Sequence, residues 1–236
     1  MLQRTTLICI PYAGGNSYAF RDLQPFLGRI MDMVTLELPG RGKRLAEPLL
    51  SDMHAMAADL YRQLLPHTRS PYILYGHSMG AVLGNLLVHR LQQEWKPLPL
   101  HFFVTGCAAP VFNDQRRKLH LLSDEQLITE LRQMGGMPDA LLADQDLMEF
   151  FLPVIREDMK ALECYQYQSL GKYRTGITTI TGTTEEVTTS QAAGWALETE
   201  KEVRALRYPG NHFFILHQFQ NIAMLLRDVA LTPQHS

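Results

Sequence analysis

The sequence predicts an α/β fold, with a mostly parallel sheet, helices on both faces and a helical insertion. Three observations predict it. Short β-favouring runs recur along the 236 residues. Most are apolar throughout, the pattern of strands buried on both faces. Helix-like segments separate them, which argues for right-handed crossovers between parallel strands. With 46% hydrophobic residues, the chain can fill one large core. A single domain over residues 1–236 therefore fits better than two small ones.

The elements follow in order. Thr5–Ile10 ("TTLICI") and Met33–Leu38 are the first two expected strands. Asp52 to Leu65 reads as a helix that sets Met53, Met56, Ala57, Leu60 and Leu64 on one stripe. Tyr72–Tyr75 is the third strand. Ala81–Leu91 is apolar almost all round, so that helix should be deeply packed. His101–Thr105 is the fourth strand. From about residue 112 to 167 no strand pattern occurs. Ser123-Asp124-Glu125-Gln126 reads as a capping box, opening a helix to about Met134. Gly135-Gly136 ends that helix and Pro138 follows. "LADQDLMEFFLPVIREDMKALECY" is helical again, with Pro153 expected to break or kink it. Helices inserted into a parallel-sheet domain are most simply a lid; ordinary outer-layer helices are the alternative. Ile177–Thr181 and Val203–Tyr208 complete the strands.

Composition narrows the function. The net charge is −2 with 19% charged residues, so no strong field points to nucleic acid or a membrane surface. Cys9, Cys107 and Cys164 are far apart and form no CxxC. That fits a reducing compartment, and their apolar surroundings read as small buried thiols. No signal-peptide pattern precedes the first strand, and no apolar run approaches the roughly 18 residues that span a bilayer. A cytoplasmic protein is expected.

The chemistry is carried by Gly76-His77-Ser78-Met79-Gly80, a G-x-S-x-G with a strand before it and a helix after it. A sharp strand-to-helix turn strains its central residue, and side chains at the flanking Gly positions would collide with neighbouring backbone. The turn presents Ser78 at a helix N-terminus, where developing negative charge is favoured. Ser78 is therefore the candidate nucleophile. A base is sought late in the chain, since this turn goes with the order Ser, acid, His. His212 follows a strand and the turn Pro209-Gly210-Asn211; His217 lies in the next apolar run and reads as packing or surface. For the acid, Glu185 is first choice, in the loop after "ITTIT". Glu186 and Asp114 remain alternatives. Two backbone donors should hold an oxyanion: the amide of Met79 and that of Ala13, in the Gly-rich loop after the first strand. No HExxH, Cys/His cluster or phosphate-binding Gly loop is present, so no metal or resident cofactor is expected.

These residues resemble a known family. "IPYAGGNSYAF", "LPGRGKRLAEP", "YGHSMGA", "MGGMP", "FFLPVIREDMKALECYQY" and "PGNHFFI" are similar, in that order, to the landmarks of type II thioesterases. These are stand-alone α/β-hydrolases that accompany nonribosomal peptide and polyketide synthases. The resemblance spans about residues 7–217. It implies an α/β-hydrolase fold and a serine-dependent thioesterase. That enzyme would clear acyl or aminoacyl groups from the phosphopantetheine arm of carrier domains, as proofreading of stalled or misprimed synthases. It implies Ser78, His212, Ala13 and Met79 in the roles above. Where the family usually carries Asp, this chain has Glu185, whose extra methylene must be accommodated. Carrier domains are usually acidic around the arm. Arg116, Arg117 and Lys118 are thus the first candidates for carrier binding, with Arg41, Lys43 and Arg44 as a second group. The phosphopantetheine arrives with the substrate, and a monomer is expected. A small-molecule carboxylesterase and a non-catalytic binding protein of the same fold remain as alternatives.

Overall fold

The computed structural model describes residues 4–115 and 117–232; the side chains of Asp114 and Gln115, and all of Arg116, lie outside the described part. In chain order it runs β1 (Thr5–Ile10), α1 (Gln24–Leu27), β2 (Met31–Thr35), α2 (Met53–Leu64), β3 (Tyr72–His77), α3 (Met79–Gln93), β4 (His101–Thr105) and α4 (Asp124–Met134). There follow α5 (Asp139–Leu142), α6 (Gln145–Cys164), β5 (Gly176–Gly182), α7 (Thr189–Ala193), β6 (Val203–Tyr208) and α8 (Ile215–Leu231). The six strands form one sheet in the order β2-β1-β3-β4-β5-β6, parallel at every pairing.

The apolar-throughout strands have a direct cause. Alternate residues enter two separate cores. Ile8, Ile10, Leu74, Phe102 and Val104 face one side with α2 and α3. Leu7, Cys9, Ile73, Tyr75 and Phe103 face the other with α8. Both faces are covered, so apolar residues are favoured at both register positions, and the polar residues buried in the strands are mostly Thr, such as Thr105, Thr178 and Thr181. Each fully buried Leu or Ile contributes about 1.5–3 kcal/mol. Helix α2 shows the expected stripe, with Met53, Met56, Ala57, Leu60 and Leu64 all buried and Asp52 capping the Ala55 amide at 2.8 Å.

Between β4 and β5 no strand is assigned among the described residues; α4, α5 and α6 fill this insertion. Ser123 and Gln126 close the capping box of α4, and Gly135 ends it in the left-handed region. The expected break at Pro153 is not seen: α6 runs through it from Gln145 to Cys164. The insertion has its own apolar cluster of Leu127, Leu131, Met148, Leu152, Ile155 and Met159, and Ala13, in the loop after β1, packs against it. Two expectations need correction. Strand β2 begins at Met31, not Met33, and ends at Thr35; Leu36 and Leu38 are buried beyond the strand. Cys164 is exposed at the last turn of α6, while Cys9 and Cys107 are buried as expected. Among the described residues no helix is long and apolar enough to cross a membrane.

Candidate active site

Because every strand is parallel, the loops after β1, β3, β5 and β6 emerge at one carboxyl edge of the sheet. Ligands bind there in open α/β folds. Ser78 lies between β3 and α3 with φ 55° and ψ −120°. A non-Gly residue in this region costs on the order of 1–3 kcal/mol and persists only where its surroundings hold it. Here the Ser78 amide donates to the Thr105 carbonyl at 2.9 Å, and the Ser78 carbonyl accepts from Ala81 at 3.0 Å. The flanking glycines are steric necessities. A Cβ on Gly76 would lie 2.5 Å from the Gly80 oxygen, and one on Gly80 would lie 2.1 Å from the Ile10 oxygen. The turn therefore needs Gly on both sides for the reason its sequence suggested.

His212 sits in the turn between β6 and α8. Its Nδ1 is 3.1 Å from Glu185 Oε2. Glu185 is 1% exposed at its side chain, and its other oxygen, Oε1, accepts from the Gly182 amide at 2.5 Å. The carboxylate thus folds back over its own loop, and that geometry absorbs the extra methylene of Glu. Glu186, by contrast, is 85% exposed and lies 3.6 Å from Arg117. The Asp114 side chain lies outside the described residues.

His77, the residue before Ser78, was not singled out from the sequence. Its buried ring packs on His212, with centroids 4.9 Å apart. Burial, and then the nearby His212, push its pKa well below the ordinary value. It stays neutral and does not compete with His212 for positive charge. Its Nδ1 is 3.0 Å from Thr105 Oγ1. Gly106 makes room for both rings: a Cβ there would lie 2.5 Å from His77 Cε1 and 3.3 Å from His212 Cε1. The signal for this in the sequence is only a Gly directly after a strand.

The Met79 amide is at the first position of α3, where no intrahelical acceptor exists. Ala13 lies in the loop after β1, and its amide has no hydrogen bond among the described residues. That loop is held from the insertion, because the Gly14 amide donates to Asp158 Oδ2 at 2.8 Å. Asp158 of α6 also receives a two-pronged bond from Arg41, with Nη2–Oδ1 at 2.8 Å and Nη1 on Oδ2. Their side chains are 0% and 5% exposed respectively. Arg41 is therefore no rim cation, which corrects its place in the second basic group. Removing one partner strands a buried charge. Asp158→Ala is expected to lower unfolding stability by about 3–5 kcal/mol in urea titration. A shift under 1 kcal/mol would show that the pair holds little.

Arg44, Arg117 and Lys118 are also engaged, Arg44 with Glu47 and Asp59. Arg117 makes a forked bond to Glu130 of α4, at 2.9 and 2.5 Å, and Lys118 Nζ donates to the Glu163 carbonyl. Arg117 remains about half exposed. Arg116 lies outside the described residues.

The profile of the family described as "Thioesterase domain" matches residues 5–229. The chain belongs to the thioesterase family. Among curated proteins, it is 33% identical to the gramicidin S biosynthesis protein GrsT of Aneurinibacillus migulanus, covering 95% of this chain and 89% of that one. Among solved structures, the type II thioesterase BorB from the borrelidin biosynthetic cluster superposes with TM-score 0.89 and 31% identity, over 98% of this chain and 94% of that one. ClbQ from the colibactin NRPS/PKS pathway gives TM-score 0.89 and 28% identity, over 96% of each chain. The resemblance read from the motifs is thus borne out: this thioesterase is of the type II kind, with the α/β-hydrolase fold. It is a hydrolase of thioesters.

Proposed function

We propose that this thioesterase clears acyl or aminoacyl groups from the phosphopantetheine arm of carrier domains, using Ser78 as nucleophile, His212 as base and Glu185 as the acid that orients it. The observation that carries the reading is the His212–Glu185 bond at the carboxyl edge of the sheet, beside the strained Ser78 turn. Similar proteins are named for gramicidin S biosynthesis, the colibactin NRPS/PKS pathway and the borrelidin biosynthetic cluster, and others are fatty acid synthase thioesterases; these names support a carrier as the source of the thioester.

In this reading His212 takes the Ser78 proton as Oγ attacks the thioester carbonyl. The Ala13 and Met79 amides receive the developing oxyanion. His212 then protonates the leaving thiol, and water repeats the sequence on the acyl-enzyme. A thiolate leaves readily, so the demand falls on activating Ser78 and on the oxyanion donors, which contribute about 3–4 kcal/mol each.

Carrier docking is assigned to Arg117 and Lys118, on the outer side of the insertion. Rim charges act mainly on association rate. Arg117→Glu with Lys118→Glu should lower kcat/KM on acyl-carrier protein, most at low salt. Hydrolysis of a small acyl thioester should stay unchanged. Equal losses on both substrates would make these residues supports of the insertion, and no loss would move the docking surface. The same pair of substrates, with a matched oxygen ester added, tests the function itself. Preference for the free ester over acyl-carrier protein would favour a small-molecule esterase.

A further inference from the structure

We infer that the Gly135-Gly136 turn at the end of α4 is a positioning element for His212, acting through Asn211 and Phe213. This rests on the reading of His212 as the base. Helix α4 stops at Gly135, with φ 80° and ψ 23°, where the Gly135 amide donates to the Leu131 carbonyl at 3.1 Å. The backbone of this turn comes into close contact with the two residues that flank His212. A Cβ on Gly135 would lie 2.4 Å from Asn211 Nδ2. A Cβ on Gly136 would lie 2.3 Å from Phe213 Cε2 and 2.4 Å from Phe213 Cζ.

The two glycines differ in an informative way. Gly135 has a positive φ, so its identity has a backbone reason. Gly136 is not among the positive-φ residues. Its missing side chain is explained by the Phe213 ring alone. Side chains essentially never approach so closely, so any residue larger than Gly must displace the ring or the turn.

Phe213 transmits such a displacement directly to the base. Its ring meets His212 edge-on at 5.2 Å, His77 at 5.3 Å and Tyr12 at 4.8 Å. The turn around His212 is tight: Asn211 Oδ1 accepts from the Phe213 amide at 3.1 Å, and the Asn211 carbonyl accepts from Phe214 at 3.0 Å. The insertion also reaches the loop after β1, where Asp158 holds the Gly14 amide. A seated insertion and a correctly placed His212 are therefore one state of the molecule. The Gly135-Gly136 turn is where that state is set most closely, because nothing flexible lies between the turn and the ring.

The test is Gly136→Ala, read on a small acyl thioester and by the rate at which a fluorophosphonate labels Ser78. A misplacement of about 1 Å can cost on the order of 100-fold. The expected result is a kcat lower by about 10- to 100-fold, a similar fall in labelling rate, an unchanged KM and a near-normal melting temperature. A second variant, Gly136→Ala with Phe213→Leu, removes the ring atoms that the new Cβ meets. It should recover most of the loss and come within about threefold of Phe213→Leu alone. Wild-type kcat and labelling in a folded Gly136→Ala protein would overturn the inference. So would a double variant that falls well below Phe213→Leu. If Gly136→Ala does not fold, the double variant against Phe213→Leu decides by the same criterion. His212→Ala separates the two readings. If it keeps its activity, the base assignment falls; if it is inactive while Gly136→Ala is normal, only the positioning role falls.

Discussion

Ser78→Ala is expected to abolish thioester hydrolysis, by about 10⁴-fold or more in kcat, in a protein that folds as before. The two halves of this expectation have different causes. The chemical loss follows because no other hydroxyl stands at the strained turn between β3 and α3. The structural neutrality follows from what holds that turn. Its hydrogen bonds run from the Ser78 amide to Thr105 and from Ala81 to the Ser78 carbonyl, both backbone to backbone. The side chain makes no cap bond to α3. Alanine keeps the same Cβ and therefore the same backbone strain. Circular dichroism and a melting curve check the fold, while acyl-carrier hydrolysis and fluorophosphonate labelling check the chemistry. Near-normal turnover by the folded variant would end the serine-hydrolase reading.

What the sequence disclosed, and what it hid, divides along one physical line. Strands β1 and β4 have the bounds that their residue types suggest, because propensity and burial act on the same short run; β6 also keeps its bounds, though none of its residues is buried and propensity alone marks it. Strand β2 does not. Leu36 and Leu38 are apolar and buried, yet pairing with β1 ends at Thr35, apart from one further bond from the Leu36 amide to Cys9. Burial is written into side chains, whereas pairing depends on where the backbone turns away. Pro153 does not end α6, because the helix's apolar face is buried in the insertion's own cluster and that packing outweighs the lost hydrogen bond.

The catalytic candidates were legible because each stands at a local punctuation mark. Ser78 has its flanking glycines, His212 its Pro209-Gly210-Asn211 turn, and Glu185 its place just after a strand. What surrounds them was not legible. Arg41 and Asp158 are 117 positions apart, and neither residue alone distinguishes a buried pair from two solvated charges. The packing of His77 on His212, and the contact of Gly136 with Phe213, arise only when β3, β6 and the insertion are brought together. Nothing local in the sequence encodes such contacts beyond the presence of a glycine.

Glu185→Gln is expected to cost nearly as much as the loss of the nucleophile, up to roughly 10⁴-fold, through the tautomer of His212. The carboxylate has two tasks with two oxygens: Oε1 accepts from the Gly182 amide at 2.5 Å, and Oε2 faces His212 Nδ1 at 3.1 Å. Glutamine has one oxygen and one NH₂. If its oxygen stays on Gly182, its NH₂ faces His212 Nδ1 and selects the tautomer with the proton on Nε2, which cannot accept from Ser78. If its oxygen turns to His212, the NH₂ meets the Gly182 N–H, donor against donor, in a site that is almost fully buried. Either way the base is lost or misplaced. Glu185→Asp keeps both acceptors and loses only reach, so its loss should be smaller than that of Glu185→Gln. Glu186→Gln should be close to wild type, because that side chain stands in solvent near Arg117. Asp114→Asn completes the series. The ranking by kcat on one acyl-carrier substrate decides: if Asp114→Asn or Glu186→Gln is the most damaging, the acid that orients His212 is not Glu185.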